Sequence, residues 1–312
     1  MTERDPGAAN LTLFDLGRPD RDSPAGAETN VDKRIGGSHP QILLGTSAFT
    51  ANGWEGTFYP AGMKPADYLR HYGTRFRTVE IDSTFYGAPQ AARVLAWYEK
   101  TPRDFVFAAK VPQVITHEKI LVDCDAEFTE FLTTMDLLKE KLGPLLLQFG
   151  QFSKSVFRNG EEFLQRLVPF LRKLPGDRQT GGHRFVVEIR NRQWIDATFL
   201  DTLREHRVTL ALTDSSWTPR PWEMAKETKP LDLITADFAY VRWLGDRKSI
   251  EEITTSWDKT VVDRRDDLLH WVNLFRELVS RKLTVYAYAN NHYAGNGPGT
   301  VKLFWEMFEG KE

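Results

Sequence analysis

The chain is poor in the residues that staple small proteins or anchor membrane proteins. Among 312 residues there is one cysteine, Cys124. That excludes an intrachain disulfide framework and a cysteine-based zinc centre within one chain, and it favours a reducing compartment. Histidine is scarce, with seven in all, and forms neither an HxH nor an HExxH pattern. No apolar run approaches bilayer-spanning length, and the charged N-terminus lacks a signal-peptide apolar region. A soluble cytoplasmic protein without a membrane partner is therefore expected. Charge of one sign is missing as well: 41 Lys+Arg against 43 Asp+Glu give a formal net charge of -2. This excludes whole-molecule attraction to nucleic acid, while a local basic cleft stays compatible with it.

What is present is a rhythm. Residues 1 to 38 are dominated by Asp, Arg, Gly and Pro, with one apolar patch at Leu11–Leu16, and read as a flexible N-terminal tail. From residue 39 to 312, short apolar runs alternate with helical periodicity. The strand-like runs are 41–47, 78–82, 104–110, 145–150, 185–190, 208–214, 237–242 and 284–290. Helical spacing follows most of them, for example at Phe128, Phe131, Leu132, Met135 and Leu138, where Gly143-Pro144 is expected to stop the helix. Eight strands over about 270 residues have the length and order of a single-domain TIM (β/α)8 barrel. A doubly wound sheet is the alternative.

In such a barrel, functional groups come from the C-terminal ends of the strands. Alternation places Glu80 with Asp82, Glu188 with Arg190, and Tyr240 with Arg242 on inward faces. It also aligns Tyr286, Tyr288, Asn290 and His292, with Asn291 opposite. Lys110, Gln148 and Asp214 stand at exits of their own strands. The catalytic candidates are thus Glu80, Glu188, Lys110, Asp214 and His292. The substrate-binding candidates are Asp82, Tyr86, Gln148, Arg190, Arg242, Tyr288, Asn290, Asn291 and Tyr293.

Several chemistries fit this set. Glu80 and Glu188 can serve as general acid and base if their environments differ. Lys110 can form a Schiff base, and Arg190 and Arg242 can clamp a phosphate or carboxylate. No cofactor is expected; the alternative is a divalent metal held by Glu80, Glu188, Asp214 and His292. His71, His117, His206 and His270 read as ordinary helix, loop or surface residues. After the eighth strand, Gly295 and Gly297 can bring backbone N–H groups to an anion, although a plain turn and helix cap fits the same sequence.

A nucleic-acid partner is a further alternative. Trp54, Trp217, Trp222, Trp243 and Trp257 fall in predicted loops beside Arg190, Arg192, Arg220, Arg242 and Arg247. Aromatics near arginines suit a single strand or an extruded base; they suit lid packing equally.

Some of these stretches also carry a resemblance. Gly45-Thr46-Ser47, Gly53–Pro60, Thr78–Tyr86, Phe105–Lys110, Val187–Arg190 with Trp194, Tyr240–Arg242 and Asn290–Tyr293 resemble motifs of the DUF72, or YecE-like, family. The resemblance runs over about residues 41 to 309 and implies a TIM-type barrel of uncharacterised function. It also implies a distant relation to barrel enzymes such as the endonuclease IV group, whose rich set of metal-ligand histidines this chain lacks. The chain departs from the family pattern at Ala48–Asn52, at Asp82 where asparagine is common, and at Trp243-Leu244-Gly245 where a histidine-glycine pair is common. The reading that joins these observations is a hydrolase or lyase acting on a small phosphorylated, sugar-like or nucleotide-derived substrate. The alternative is a nucleic-acid or nucleotide binding accessory protein without catalysis.

Overall fold

The computed structural model describes residues 34–37, 39–175, 182–224 and 232–311. The tail expected over residues 1 to 38 lies outside them except for 34–37. Those residues dock on the barrel: the Arg34 guanidinium donates to both oxygens of Asp104, at 3.1 and 2.6 Å, and Ile35 N–H donates to Arg75 O.

The first half of the barrel comprises β1 (Ile42–Thr46), α1 (Pro65–Arg75), β2 (Thr78–Ile81), α2 (Ala91–Lys100), β3 (Val106–Lys110), α3 (Asp125–Met135), β4 (Leu142–Gln148) and α4 (Gly160–Leu171). The second comprises β5 (Phe185–Glu188), α5 (Ala197–Glu205), β6 (Thr209–Ser215), α6 (Pro221–Met224), β7 (Phe238–Gly245), α7 (Arg247–Glu251), α8 (Arg265–Ser280), β8 (Thr284–Ala289), α9 (Asn291–Ala294) and α10 (Gly297–Glu309). All strand pairs are parallel, in the order β1-β8-β7-β6-β5-β4-β3-β2. The eight-stranded TIM-type barrel expected from the rhythm is what forms.

Alternation along each strand makes two cores. Leu43, Ala108, Leu146, Val186, Ala211, Tyr240 and Tyr288 fill the barrel interior. The residues between them, such as Phe107, Leu145, Val187 and Leu212, pack outward against the helices. In α8, Leu268, Trp271, Val272, Phe275 and Leu278 form the buried face. They recur at helical spacing, and each such side chain contributes roughly 1.5–3 kcal/mol by leaving water.

The helical stretch that begins with α3 continues as a 3-10 turn to Lys141 and ends just before Gly143-Pro144, but both residues lie inside β4 rather than in a loop. The pairing of β3 with β4 shifts between Phe107 and Ala109, and that irregularity accommodates them. Irregular ladder positions are where a sheet tolerates proline.

The barrel closes without a full ladder. Among the described residues, β1 and β2 share no backbone pairing. The Tyr72 hydroxyl of α1 fills the gap, accepting from Thr46 N–H at 2.8 Å and donating to Thr78 O at 3.2 Å. Gly45 makes the approach feasible: a Cβ there would stand 2.0 Å from Thr78 O.

Candidate active site

The inward residues of β2, β5 and β7 meet on the barrel axis. Arg242 donates through Nε and Nη2 to Glu80, at 2.9 and 2.7 Å, and through Nη1 to Glu188 Oε2 at 2.5 Å. The Tyr240 hydroxyl donates to Glu80 Oε2 at 2.6 Å. All four side chains are buried. Burial opposes the charge of Arg242, yet Glu188 and Glu80 offset this and hold its pKa well above the ordinary arginine value. Beneath them the Tyr288 hydroxyl shares a hydrogen bond with Thr78 Oγ1, and burial raises its pKa strongly.

This layer revises three expectations. Both Glu80 oxygens are occupied and the side chain is wholly sealed. It cannot reach a substrate proton, so its part is to hold Arg242. Arg242 in turn spends its donors on carboxylates and is not an anion clamp. Tyr288 lies in the floor, below reach of a ligand. Glu188 differs: Oε2 is held by Arg242, while Oε1 makes no hydrogen bond among the described residues and lies 3.8 Å from Arg190 Nε.

Above this floor, the exits of β3, β4 and β5 form an arc. Lys110 pairs with Asp82, which the short helical turn Asp82–Tyr86 presents, and its ammonium lies 5.4 Å from the Phe85 ring centre. Gln148 is buried, and its side chain makes no hydrogen bond among the described residues. The Arg190 guanidinium stacks 4.0 Å from the Trp217 ring centre, and its buried Nε makes no hydrogen bond. Burial lowers the Arg190 pKa, Glu188 opposes that and Arg242 adds to it. Tyr86 stands at the outer rim, 79% exposed, edge-on to Phe85. A cleft of about 470 Å³ adjoins the arc through Trp217 and is lined further by Ser216, Asp246, Arg247, Lys248, Glu251 and Glu252. It flanks the strand-end side chains rather than covering them.

The sequence reading missed His117. It sits in the turn Val114–Glu118 after β3, with its ring edge-on to Phe85 at 5.1 Å. Burial lowers its pKa, and the charges of Arg190 and Lys110 lower it further. It is therefore a mouth residue, not a surface one. The available signal was its position in the loop that follows Lys110.

Two other candidates, Asp214 and Tyr293, do not join the mouth. Asp214 is out of phase with inward Ala211 and Thr213, so it faces the helical layer. There it accepts from Trp271 Nε1, the Tyr293 hydroxyl and Arg220 Nε, at 2.9, 2.9 and 2.8 Å. Asp214 and Tyr293 are thus structural partners on the outer wall. Asn290 bridges Ser47 and the His292 ring, and His292 leans on Trp257 and Glu251. Asn291 accepts from Trp54 Nε1 and from Gly297 N–H, at 3.3 and 2.8 Å.

The glycine loop is not an anion cradle. Gly295 N–H donates to Asn291 O, and Gly297 N–H to the Asn291 side chain. Gly295 instead lets the segment before α8 dock, since at φ +99 a Cβ would meet Lys259 O at 2.8 Å. The metal alternative also loses its geometry. Glu80 and Glu188 converge on Arg242, Asp214 faces outward, and no group of three or more His, Cys, Asp and Glu among the described residues is placed to hold an ion. Of the rim tryptophans, Trp54 and Trp243 are buried, Trp222 stacks on His270 and Trp257 packs on His292.

Comparison with known proteins agrees with this architecture. A UPF0759 protein, YecE of Escherichia coli K12, is 37% identical over 126 residues, which is 40% of this chain and 42% of that one. The chain thus matches about two-fifths of the length of that relative. The crystal structure of a DUF72 family protein from Thermotoga maritima superposes with a TM-score of 0.65 at 26% identity, covering 86% of this chain and 99% of that one. A D-psicose 3-epimerase structure reaches 0.51 at 11% identity over 84% of this chain and 90% of its own, a likeness of fold alone. The family model described as "Protein of unknown function DUF72" matches residues 43–312. With that match spanning the whole barrel, the chain belongs to the DUF72 family.

Proposed function

We propose that this barrel is a hydrolase or lyase acting on a small phosphorylated, sugar-like or nucleotide-derived substrate. The substrate's anionic group binds to Lys110, Gln148 and Arg190, and Glu188 transfers the proton. The observation that carries this reading is the pairing of Glu188 Oε1 with Arg190 Nε at 3.8 Å, both without a hydrogen bond among the described residues. A buried donor left unpaired is unfavourable by about 1–3 kcal/mol, and a ligand oxygen between these groups relieves that penalty. Arg242 fixes Glu188 through its other oxygen, so Oε1 meets the substrate from a preset position. Positioned acid–base groups contribute about 10²–10⁴-fold to rate.

A panel of sugar phosphates and nucleotides, with inorganic phosphate as the minimal ligand, tests the reading. Arg190→Ala should abolish phosphate binding measured by calorimetry. Glu188→Gln should keep binding and lower turnover about 10²-fold or more. Wild-type turnover in Glu188→Gln would refute the assignment. The Trp217–Arg190 stack favours a second reading, a nucleotide or nucleic-acid binder without catalysis. Salt-sensitive binding of a single-stranded oligonucleotide, lost in Arg190→Ala and with no substrate turned over, would favour it instead.

A further inference from the structure

The turn that carries His117 is π-helical, a widened turn found often at functional sites. Its neighbour Thr116 is wholly buried, and the Thr116 hydroxyl lies 2.8 Å from His117 Nδ1. Among the described residues that hydroxyl has no other acceptor. A buried hydroxyl proton without an acceptor is unfavourable by about 1–3 kcal/mol, so the proton is directed at Nδ1. An imidazole that accepts at Nδ1 is neutral and carries its own proton on Nε2.

Nε2 is free to use that proton. It has no partner among the described residues and is not sealed from the mouth. It faces Gly150, just beyond β4, where a Cβ would stand 3.4 Å away. The glycine keeps this edge of the ring clear. The charges around the ring agree with neutrality: Lys110 from the end of β3 and Arg190 beyond β5 both oppose protonation, and Glu118 alone favours it. Protonating the ring would also turn Nδ1 into a donor and leave the Thr116 proton without an acceptor.

We infer that His117 is a ligand-binding residue of the mouth, donating from Nε2 as a neutral imidazole to an oxygen of the substrate's anionic group. The ligand rests on the anion-binding reading of Lys110, Gln148 and Arg190; the tautomer stands on the protein alone. A neutral ring suits this position. It stabilises a developing oxyanion without surrendering its proton, as an imidazolium would to a basic oxygen.

Long-range ¹H–¹⁵N correlation of the imidazole rings, assigned with His117→Gln, tests both parts on the full chain. The expected result is an Nε2–H tautomer at pH 7 to 8 and no protonation until below 6.5, the ordinary value. Thr116→Val should bring up the Nδ1–H form. Inorganic phosphate should shift the His117 Nε2 signal with a saturating dose, and His117→Gln should weaken phosphate binding about tenfold, or 1.4 kcal/mol. A dominant Nδ1–H tautomer in the wild type overturns the inference. So does phosphate that binds His117→Gln as tightly as wild type but fails to bind Arg190→Ala, a result that leaves the anion pocket standing. Phosphate binding unaffected by Arg190→Ala removes the pocket reading itself, while the tautomer measurement still decides the protein half.

Discussion

Arg242 and Glu80 form a two-point ion pair on the barrel axis, with Nε and Nη2 donating at 2.9 and 2.7 Å to the two carboxylate oxygens. Removing the cation strands two buried carboxylates, Glu80 and Glu188. Arg242→Met should therefore destabilise the fold by about 3–5 kcal/mol. Urea unfolding monitored by circular dichroism measures this. An unchanged midpoint would show that the axis network does not support the fold.

The β1–β2 seam predicts two losses of different size. Tyr72→Phe removes the acceptor of Thr46 N–H and the donor to Thr78 O, and should lower stability by about 1–3 kcal/mol. Gly45→Ala should lose more, because Thr78 O is backbone and cannot swing away from a Cβ placed 2.0 Å from it. If thermal unfolding ranks the two in the opposite order, the seam is softer than its geometry implies.

Asp214 should behave as a fold residue. Asp214→Ala leaves the Trp271 indole and the Tyr293 hydroxyl as buried donors without an acceptor, an expected loss of about 1–3 kcal/mol for each. Phosphate binding at the mouth should be unaltered in the folded variant. Calorimetry that finds binding abolished would return Asp214 to the site.

Acid should weaken the protein from about pH 6.5 downward. Burial lowers the pKa of His39, His71, His117 and His292 from the ordinary value of 6.5. Above 6.5 both folded and unfolded chains hold neutral rings, and stability is at its full value. Below it the unfolded chain gains protons that the native rings resist, so stability falls until each native pKa is passed. Urea midpoints at pH 7.5 and 5.5 should show this drop, and His117→Gln should shrink it. A midpoint that rises towards acid contradicts the sign.

The barrel was legible because its code is local. Period-two alternation in Val79-Glu80-Ile81 and Tyr240-Val241-Arg242 fixes which side chains turn inward, and the structure keeps that phase. Asp214 was misplaced by its position at a strand exit. Its phase with outward Leu210 and Leu212, rather than inward Ala211 and Thr213, was the better guide. Which inward acid keeps an oxygen without a hydrogen bond was not legible at all. Glu80 and Glu188 look alike in sequence, and only the reach of Arg242 across the barrel distinguishes them.

The loops were harder for a physical reason. His117 lies beyond β3, where no periodicity assigns direction, and its fate depends on Thr116, Phe85 and Gly150. The glycine-rich loop offered the right composition for an anion. Its N–H groups, however, are taken by Asn291 and Asn296, which only tertiary contact brings into register.

A closed barrel has no strand edges, and edges are where chains pair with one another. Here closure hangs on the Tyr72 hydroxyl, a side chain rather than a ladder. Loss of that hydroxyl therefore takes a partner from two buried backbone groups at once, Thr46 N–H of β1 and Thr78 O of β2. The seam is thus where the ring should open first: in Tyr72→Phe, amide exchange in β1 and β2 should speed up ahead of the other six strands.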